Sequence, residues 1–153
     1  MLRGAAIAVI ACGACTTVQN EPLADPAKQL DETVFRCSVE PILARQCSYN
    51  ACHGIAGQPG SALRVYSPGK LRATKPADID AAIAPLTDDE QHANFESAAG
   101  FATAAIGDNF LLRKPLASAA GGFEHAGGAI FPTVTDPQYQ AIAAWLLGKG
   151  HCP

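Results

Sequence analysis

Apolar and polar positions follow the 3.6-residue period of an α-helix in several segments, and no segment shows the sustained period of two that marks a half-buried strand. The last segment has the clearest pattern. Its apolar face is formed by Tyr139, Ile142, Ala143 and Leu146, with Trp145 beside it. Asp136 is suited to cap this helix, Pro137 to occupy its first position and Gly148 to end it. The sequence therefore predicts a C-terminal amphipathic helix.

Three further helices are predicted upstream. Ser38 can cap a helix over residues 39–46. Residues 77–84 and 87–105 have helical patterns, and the second of these begins with the T-x-x-E spacing of a capping box at Thr87. The chain is thus expected to be mainly helical.

The segments between these helices are long and rich in glycine and proline, notably residues 54–70 and 117–134. We therefore expect an all-α fold, a compact domain with long Gly/Pro-rich loops. A length of 153 residues suggests one domain. The predicted organisation is a signal segment at 1–11, a polar tether at 12–33 and one folded unit at 34–153.

The N-terminus has the features of an export signal. Arg3 gives a positive start, residues 5–11 are apolar, and V-I-A-C ending at Cys12 resembles a bacterial lipobox. In such proteins the cysteine is acylated and anchors the mature chain to a membrane. Acylation at Cys15 and an ordinary signal peptide are the alternatives. We expect an exported protein, periplasmic or anchored to the outer membrane of a Gram-negative-type cell.

Composition and charge limit the classes of partner that the protein could bind and the kind of core that it could form. The net charge is −3 without a cluster of Lys or Arg, which argues against a nucleic-acid partner. Aromatic residues are only 7% of the chain, although apolar residues make up 48%. A core of small side chains is often completed by a buried cofactor or by disulfides.

The motif C-S-Y-N-A-C-H, running from Cys47 through Cys52 to His53, carries the most specific chemistry. Two thiols followed directly by a histidine are typical of covalent haem attachment, in which thiols add to the two vinyl groups and the imidazole binds iron. Four residues separate the thiols here instead of the usual two. The alternatives are a disulfide between Cys47 and Cys52 beside an incidental histidine, or half of a zinc site, although no second Cys/His pair has the required spacing.

Five segments together resemble the planctomycete-type cytochrome c domain. They are V-E-P-I-L at 39–43 with the attachment motif and C-H-G, L-R-V at 63–65, F-L-L-R-K-P-L at 110–116, H-A-G-G at 125–128, and the closing helix with its tryptophan. The C-H-G and V-x-P-I-L elements are the most specific, and the longer spacer departs from the family pattern. The resemblance implies a helical haem domain for electron transfer, with one covalently attached haem c and His53 as the proximal iron ligand.

The second axial ligand is expected to be a histidine. Methionine is a common distal ligand in cytochromes, but the single methionine, Met1, leaves with the signal segment. We predict His125, because the glycines around it allow close approach to a macrocycle and the resemblance puts its loop late in the domain. His92, His151, another side chain and an open iron position remain as alternatives.

The two cysteines that remain, Cys37 and Cys152, are predicted to form a disulfide in an oxidising compartment. The expected function is that of a non-enzymatic electron carrier between redox partner proteins, with a bis-histidine haem. A haem protein with an open iron position, as in a gas sensor or a peroxidase-like protein, is one alternative. A haem-free, disulfide-bonded surface lipoprotein is the other.

Overall fold

The structure, a computed structural model, describes residues 30–54, 62–102 and 105–153. The predicted signal segment, Cys12, Cys15 and most of the predicted tether lie outside these residues. What the sequence indicates for these residues therefore stays a prediction.

The described part of the chain is mostly helical, as predicted. Its helices are α1 (Glu32–Val34), a π-helical segment (Phe35–Val39), α2 (Glu40–Gln46), α3 (Ile79–Ile83), α4 (Asp88–Ala99), a 3-10 turn (Ile106–Asp108), α5 (Phe110–Arg113), a second 3-10 turn (Ser118–Ala120) and α6 (Pro137–Leu146). Over the same ranges, β-pairing is confined to an isolated bridge between Leu116 and Phe131. None of the described helices has the length and apolarity needed to cross a membrane.

The first helix begins earlier than predicted. Asp31 caps it by accepting a hydrogen bond from the Val34 N–H at 3.1 Å, so the last two residues of the predicted tether are already helical. Ser38 is not the cap, because its hydroxyl donates to the Val34 carbonyl at 2.6 Å. The π-helical segment ends just before Pro41, which has no N–H to donate to a preceding turn.

Helices α3 and α4 start close to their predicted positions. Thr87 and Glu90 form the predicted capping box, in which each side chain accepts from the backbone N–H of the other. Helix α4 ends at Ala99 and not at 105, because Gly100 follows and its N–H closes the last turn on the Glu96 carbonyl at 3.0 Å. Glycine is a poor helix former, and its low propensity outweighs the helical pattern that continues to residue 105.

Helix α6 confirms the prediction at both ends. The Asp136 carboxylate accepts from the Gln138 N–H at 2.8 Å, and Pro137 occupies the first turn. Gly148 follows the last turn with a φ of 66°, a left-handed conformation that favours glycine.

An aromatic cluster joins α6 to the helices before it. The ring centroid of the buried Trp145 lies 5.2 Å from that of Phe35 and 6.2 Å from that of Phe95. The Trp145 indole N–H also donates to the Asp31 carbonyl at 3.0 Å. The cluster therefore fixes the first helix, which leads into the Cys47 motif, against the last helix.

The predicted disulfide between Cys37 and Cys152 is present. The two Cα atoms are 5.5 Å apart, and 115 positions along the chain separate the cysteines. The bond ties the π-helical segment to the chain end that follows α6.

Candidate functional site

The segment 47–54 folds back on itself directly after α2. The Cys47 N–H donates to the Leu43 carbonyl at 2.8 Å and so completes the end of the helix. The His53 N–H then returns to the Cys47 carbonyl at 3.1 Å, and the Cys52 N–H donates to the Tyr49 carbonyl at 2.8 Å. The four residues between the cysteines are taken up in this loop, so both thiols and the imidazole stay close together.

Gly54 closes the loop and has no room for a side chain. Its N–H donates to the Tyr49 carbonyl at 3.1 Å. A Cβ atom built on Gly54 would collide with the backbone carbonyl of Ser48. The glycine after His53 is therefore required by close packing of two backbone segments.

Lys70 supports the loop from a distant part of the chain, and no local sequence pattern marks it. Its ammonium group donates to the Ala44 carbonyl at 3.0 Å and to the Ser48 hydroxyl at 2.9 Å. It also lies 4.1 Å from the ring centroid of Tyr49. A cation at the C-terminal end of α2 satisfies helical carbonyl groups and holds the loop against the helix.

Next to this loop lies a cavity of about 660 Å³. Cys47, Cys52, His53 and His125 all line it. The rest of the wall is largely apolar and includes Leu43, Leu63, Leu111, Phe131 and Ile142. A volume of this size with a few polar groups on apolar walls is typical of a cofactor site.

A backbone hydrogen bond orients His53 in this cavity. Its Nδ1 lies 3.0 Å from the Leu63 carbonyl oxygen, so Nδ1 carries the proton and Nε2 is the nitrogen with the lone pair. Burial lowers the pKa of His53, and a charge on His125 would lower it further. The hydrogen bond to the Leu63 carbonyl has the opposite effect. A neutral imidazole with one oriented nitrogen is the form that binds a metal ion.

The Leu63 carbonyl is itself held in place by α4. The backbone N–H groups of Arg64 and Tyr66 donate to the side chains of Ser97 and Asn94, each at 2.7 Å. Asn94 is buried and returns a hydrogen bond to the Tyr66 carbonyl at 3.0 Å. The segment that orients His53 therefore depends on two polar residues of α4 that the sequence analysis did not find.

His125 faces His53 within the cavity lining. The two ring centroids are 6.1 Å apart and the ring planes differ by 11°. Metal–imidazole bonds are about 2 Å long, so two imidazoles on opposite sides of one ion have their centroids roughly 6 Å apart. The pair therefore has a spacing suited to two ligands of a single ion.

The other two histidines do not line the cavity. The Nδ1 atom of the exposed His92 lies 3.0 Å from a carboxylate oxygen of Glu32, and its Nε2 lies 3.4 Å from Glu96. Glu32 raises the pKa of His92. His151 is exposed beside Cys152. Of the four histidines, His53 and His125 are the two that the structure brings together.

Cys47 and Cys52 are thiols and are not bonded to each other. Burial raises the pKa of Cys47 to about 11, with a smaller increase from Cys52 and an opposing effect of Lys70. A thiol with this pKa is protonated at neutral pH. In the described ranges, no group of three or more Cys, His, Asp or Glu side chains could hold a metal ion by itself.

This set of donors fits haem c better than zinc. Structural zinc requires four protein ligands, whereas the porphyrin supplies four nitrogens and leaves only the axial positions of iron to the protein. Two adjacent thiols, an oriented imidazole and a second imidazole across an apolar cavity meet that need. Comparison of the chain with protein-family models, with curated proteins and with solved structures found no match.

Proposed function

We propose that the protein is an exported c-type cytochrome that carries electrons between redox partner proteins and holds one haem c. The observation that carries this proposal is the arrangement of Cys47, Cys52, His53 and His125 around one apolar cavity of about 660 Å³. The attachment motif and the family resemblance predict the same four residues for haem attachment and iron ligation. The helical fold is compatible with the resemblance to the planctomycete-type cytochrome c domain.

Cys47 and Cys52 would attach the haem through thioether bonds. Each thiol would add its S–H across a vinyl double bond, with sulfur bonded to the carbon next to the ring and hydrogen to the terminal carbon. The reaction consumes no oxidant.

His53 and His125 would supply the two protein ligands of the iron. Bound haem provides one-electron chemistry at iron, and two imidazoles give a lower reduction potential than a histidine–methionine pair. The apolar wall would limit the access of water to the iron and would stabilise a bound macrocycle by burying it. Tyr49 and Phe110 also line the cavity, and both are about half exposed, which leaves an apolar rim at which electrons could pass to a partner.

The disulfide supports the proposal that the protein is exported. Bonds of this kind persist in oxidising compartments such as the periplasm and are rare in the cytosol. Cys37 and Cys152 are joined, whereas Cys47 and Cys52 remain as thiols. The pairing leaves the attachment cysteines available, as an exported cytochrome requires. Anchoring through lipid on Cys12 is part of the same proposal.

The first experiment is an alkaline pyridine haemochrome spectrum of protein made in a periplasm with haem-attachment machinery. The protein is denatured and extracted with acidic acetone beforehand, so that only covalently bound haem remains. We expect one thioether-linked haem per chain, and none in the Cys47→Ala/Cys52→Ala double variant. Absence of haem from folded, exported wild-type protein would overturn the proposal in favour of a haem-free lipoprotein.

Spectra of the wild type and of histidine variants distinguish an electron carrier from a protein with an open iron position. His53→Ala should disturb iron ligation, whereas His92→Ala is the matched control because His92 is exposed and does not line the cavity. For the wild type we expect a low-spin spectrum that carbon monoxide does not change. A carbon monoxide adduct of the wild-type ferrous protein would instead support a gas sensor or a peroxidase-like function.

A further inference from the structure

The cavity has one positively charged side chain at its opening. Lys114 lines the cavity, and within the described residues no other Lys or Arg and no Asp or Glu does so. Lys114 is exposed. The opening therefore favours a ligand group of negative charge.

The backbone around Lys114 is fixed. Its N–H donates to the Phe110 carbonyl at 3.2 Å at the end of α5. The next residue, Pro115, is buried, and its carbonyl accepts from the N–H groups of Ile130 and Phe131 at 2.8 and 2.9 Å. Hydrogen bonds thus hold the backbone of Lys114 in place on the cavity wall, next to the lining residues Phe110 and Ile130.

The ammonium group of Lys114 is not committed to another polar partner in the described part of the chain. It lies 5.8 and 6.0 Å from the ring centroids of Phe110 and Phe123, which is the outer limit of a cation–π contact. The neighbouring Arg113, by contrast, is paired with Asp108 at 3.2 Å.

We infer that Lys114 binds a propionate carboxylate of the haem, an inference that rests on the proposed function. Haem carries two propionates, and a carboxylate beside an apolar wall is costly unless a charged hydrogen-bond donor meets it. Lys114 is the side chain of the cavity lining that supplies this donor. It adds charge recognition to a site whose other contacts are thioether bonds, axial ligands and apolar packing.

The test measures the affinity of the haem-free full chain for iron mesoporphyrin IX and for its dimethyl ester. Mesoporphyrin keeps both propionates but has ethyl groups in place of vinyl groups, so no thioether forms and binding stays reversible. Lys114→Gln should weaken binding of the acid about two- to fivefold and leave binding of the ester unchanged. Lys114→Arg should restore the preference for the acid, and Lys149→Gln, which removes an exposed lysine away from the cavity, should change neither affinity.

Other results would overturn the inference. Equal weakening of acid and ester by Lys114→Gln would indicate a merely structural effect, and unchanged binding of the acid would show that no carboxylate is paired with this lysine. In both cases the wild type still binds the porphyrin, so the proposed function stands. Failure of the wild type to bind either porphyrin would overturn the inference, whereas the haemochrome spectrum decides the proposed function separately.

Discussion

A buried ion pair between Arg72 and Glu90 should make the fold sensitive to acid. Both side chains are almost fully buried, with 8% and 3% of their surface exposed. The Glu90 carboxylate accepts from the Arg72 guanidinium at 2.8 and 2.9 Å, and from the backbone N–H groups of Ala73 and Thr87 at 2.8 and 3.0 Å. The pKa of Glu90 is lowered to about 2, mainly by Arg72 and further by these backbone hydrogen bonds.

The expected magnitude follows from that shift. The ordinary pKa of glutamate is 4.5, so folding lowers the pKa of Glu90 by about 2.5 units, or about 3 kcal/mol at 1.36 kcal/mol per unit. Because the folded pKa is the lower one, this stabilisation is complete above pH 4.5. It is lost as the pH falls from there through about 2.

The assay is urea denaturation of the wild type and of Glu90→Gln at a series of pH values from 7 to 2. At neutral pH the variant should be less stable by roughly 3–5 kcal/mol, because Arg72 keeps a buried charge without its partner. The difference should shrink below pH 4.5 as the wild type binds its proton. Asp89→Asn, exposed in the same helical turn, should change stability by less than about 0.5 kcal/mol.

One result would refute this reasoning. If the difference between the wild type and Glu90→Gln stayed constant from pH 7 to pH 2, the Glu90 carboxylate would not be stabilised by its partners. The effect of the substitution would then come from altered packing alone.

Three further predictions concern the disulfide, Gly54 and His125. Replacing Cys37 and Cys152 by alanine should lower the free energy of unfolding by about 4–5 kcal/mol in urea denaturation, because a loop of 115 residues is opened. Gly54→Ala should cost at least about 1–3 kcal/mol in the same assay, whereas Gly107→Ala, with no atom within 4 Å of the added Cβ, should be well tolerated. His125→Ala should keep its covalent haem in a haemochrome assay but gain carbon monoxide binding in the ferrous state.

Each of these predictions has an outcome that contradicts it. Unchanged stability of the cysteine variant would mean that the bond does not constrain the unfolded chain. Equal stability of the two glycine variants would contradict the close approach of the Gly54 and Ser48 backbones. A His125 variant whose ferrous spectrum ignores carbon monoxide would remove this histidine as the distal ligand.

Elements with local signals could be predicted from the sequence. Asp136 and Pro137 begin α6 as expected, and the capping box at Thr87 begins α4 as expected. The start of the first helix could not be predicted from Ser38. Serine is a residue type that often caps helices, but here its hydroxyl donates a hydrogen bond to the Val34 carbonyl. Its hydroxyl can serve either role, and only the conformation of the preceding turn decides between them.

The candidate site could be predicted only in part, for a similar reason. Short spacing in the chain makes Cys47, Cys52 and His53 recognisable. The partners that hold them come from far along the chain: Lys70 lies 26 residues after Ala44, and Asn94 lies 28 residues after Tyr66. No local pattern marks such contacts, since they depend on which helices pack together.

The bond between Cys37 and Cys152 has a consequence for proteolysis. Any single cut between these two residues would leave two pieces that remain covalently linked. The nicked chain should migrate as one species without reductant and as two with it. Since Cys47 and Cys52 both lie in the N-terminal piece for a cut after residue 53, that piece would carry any attached haem. The fragment that stains for haem would thus report the side of the motif on which the chain was cleaved.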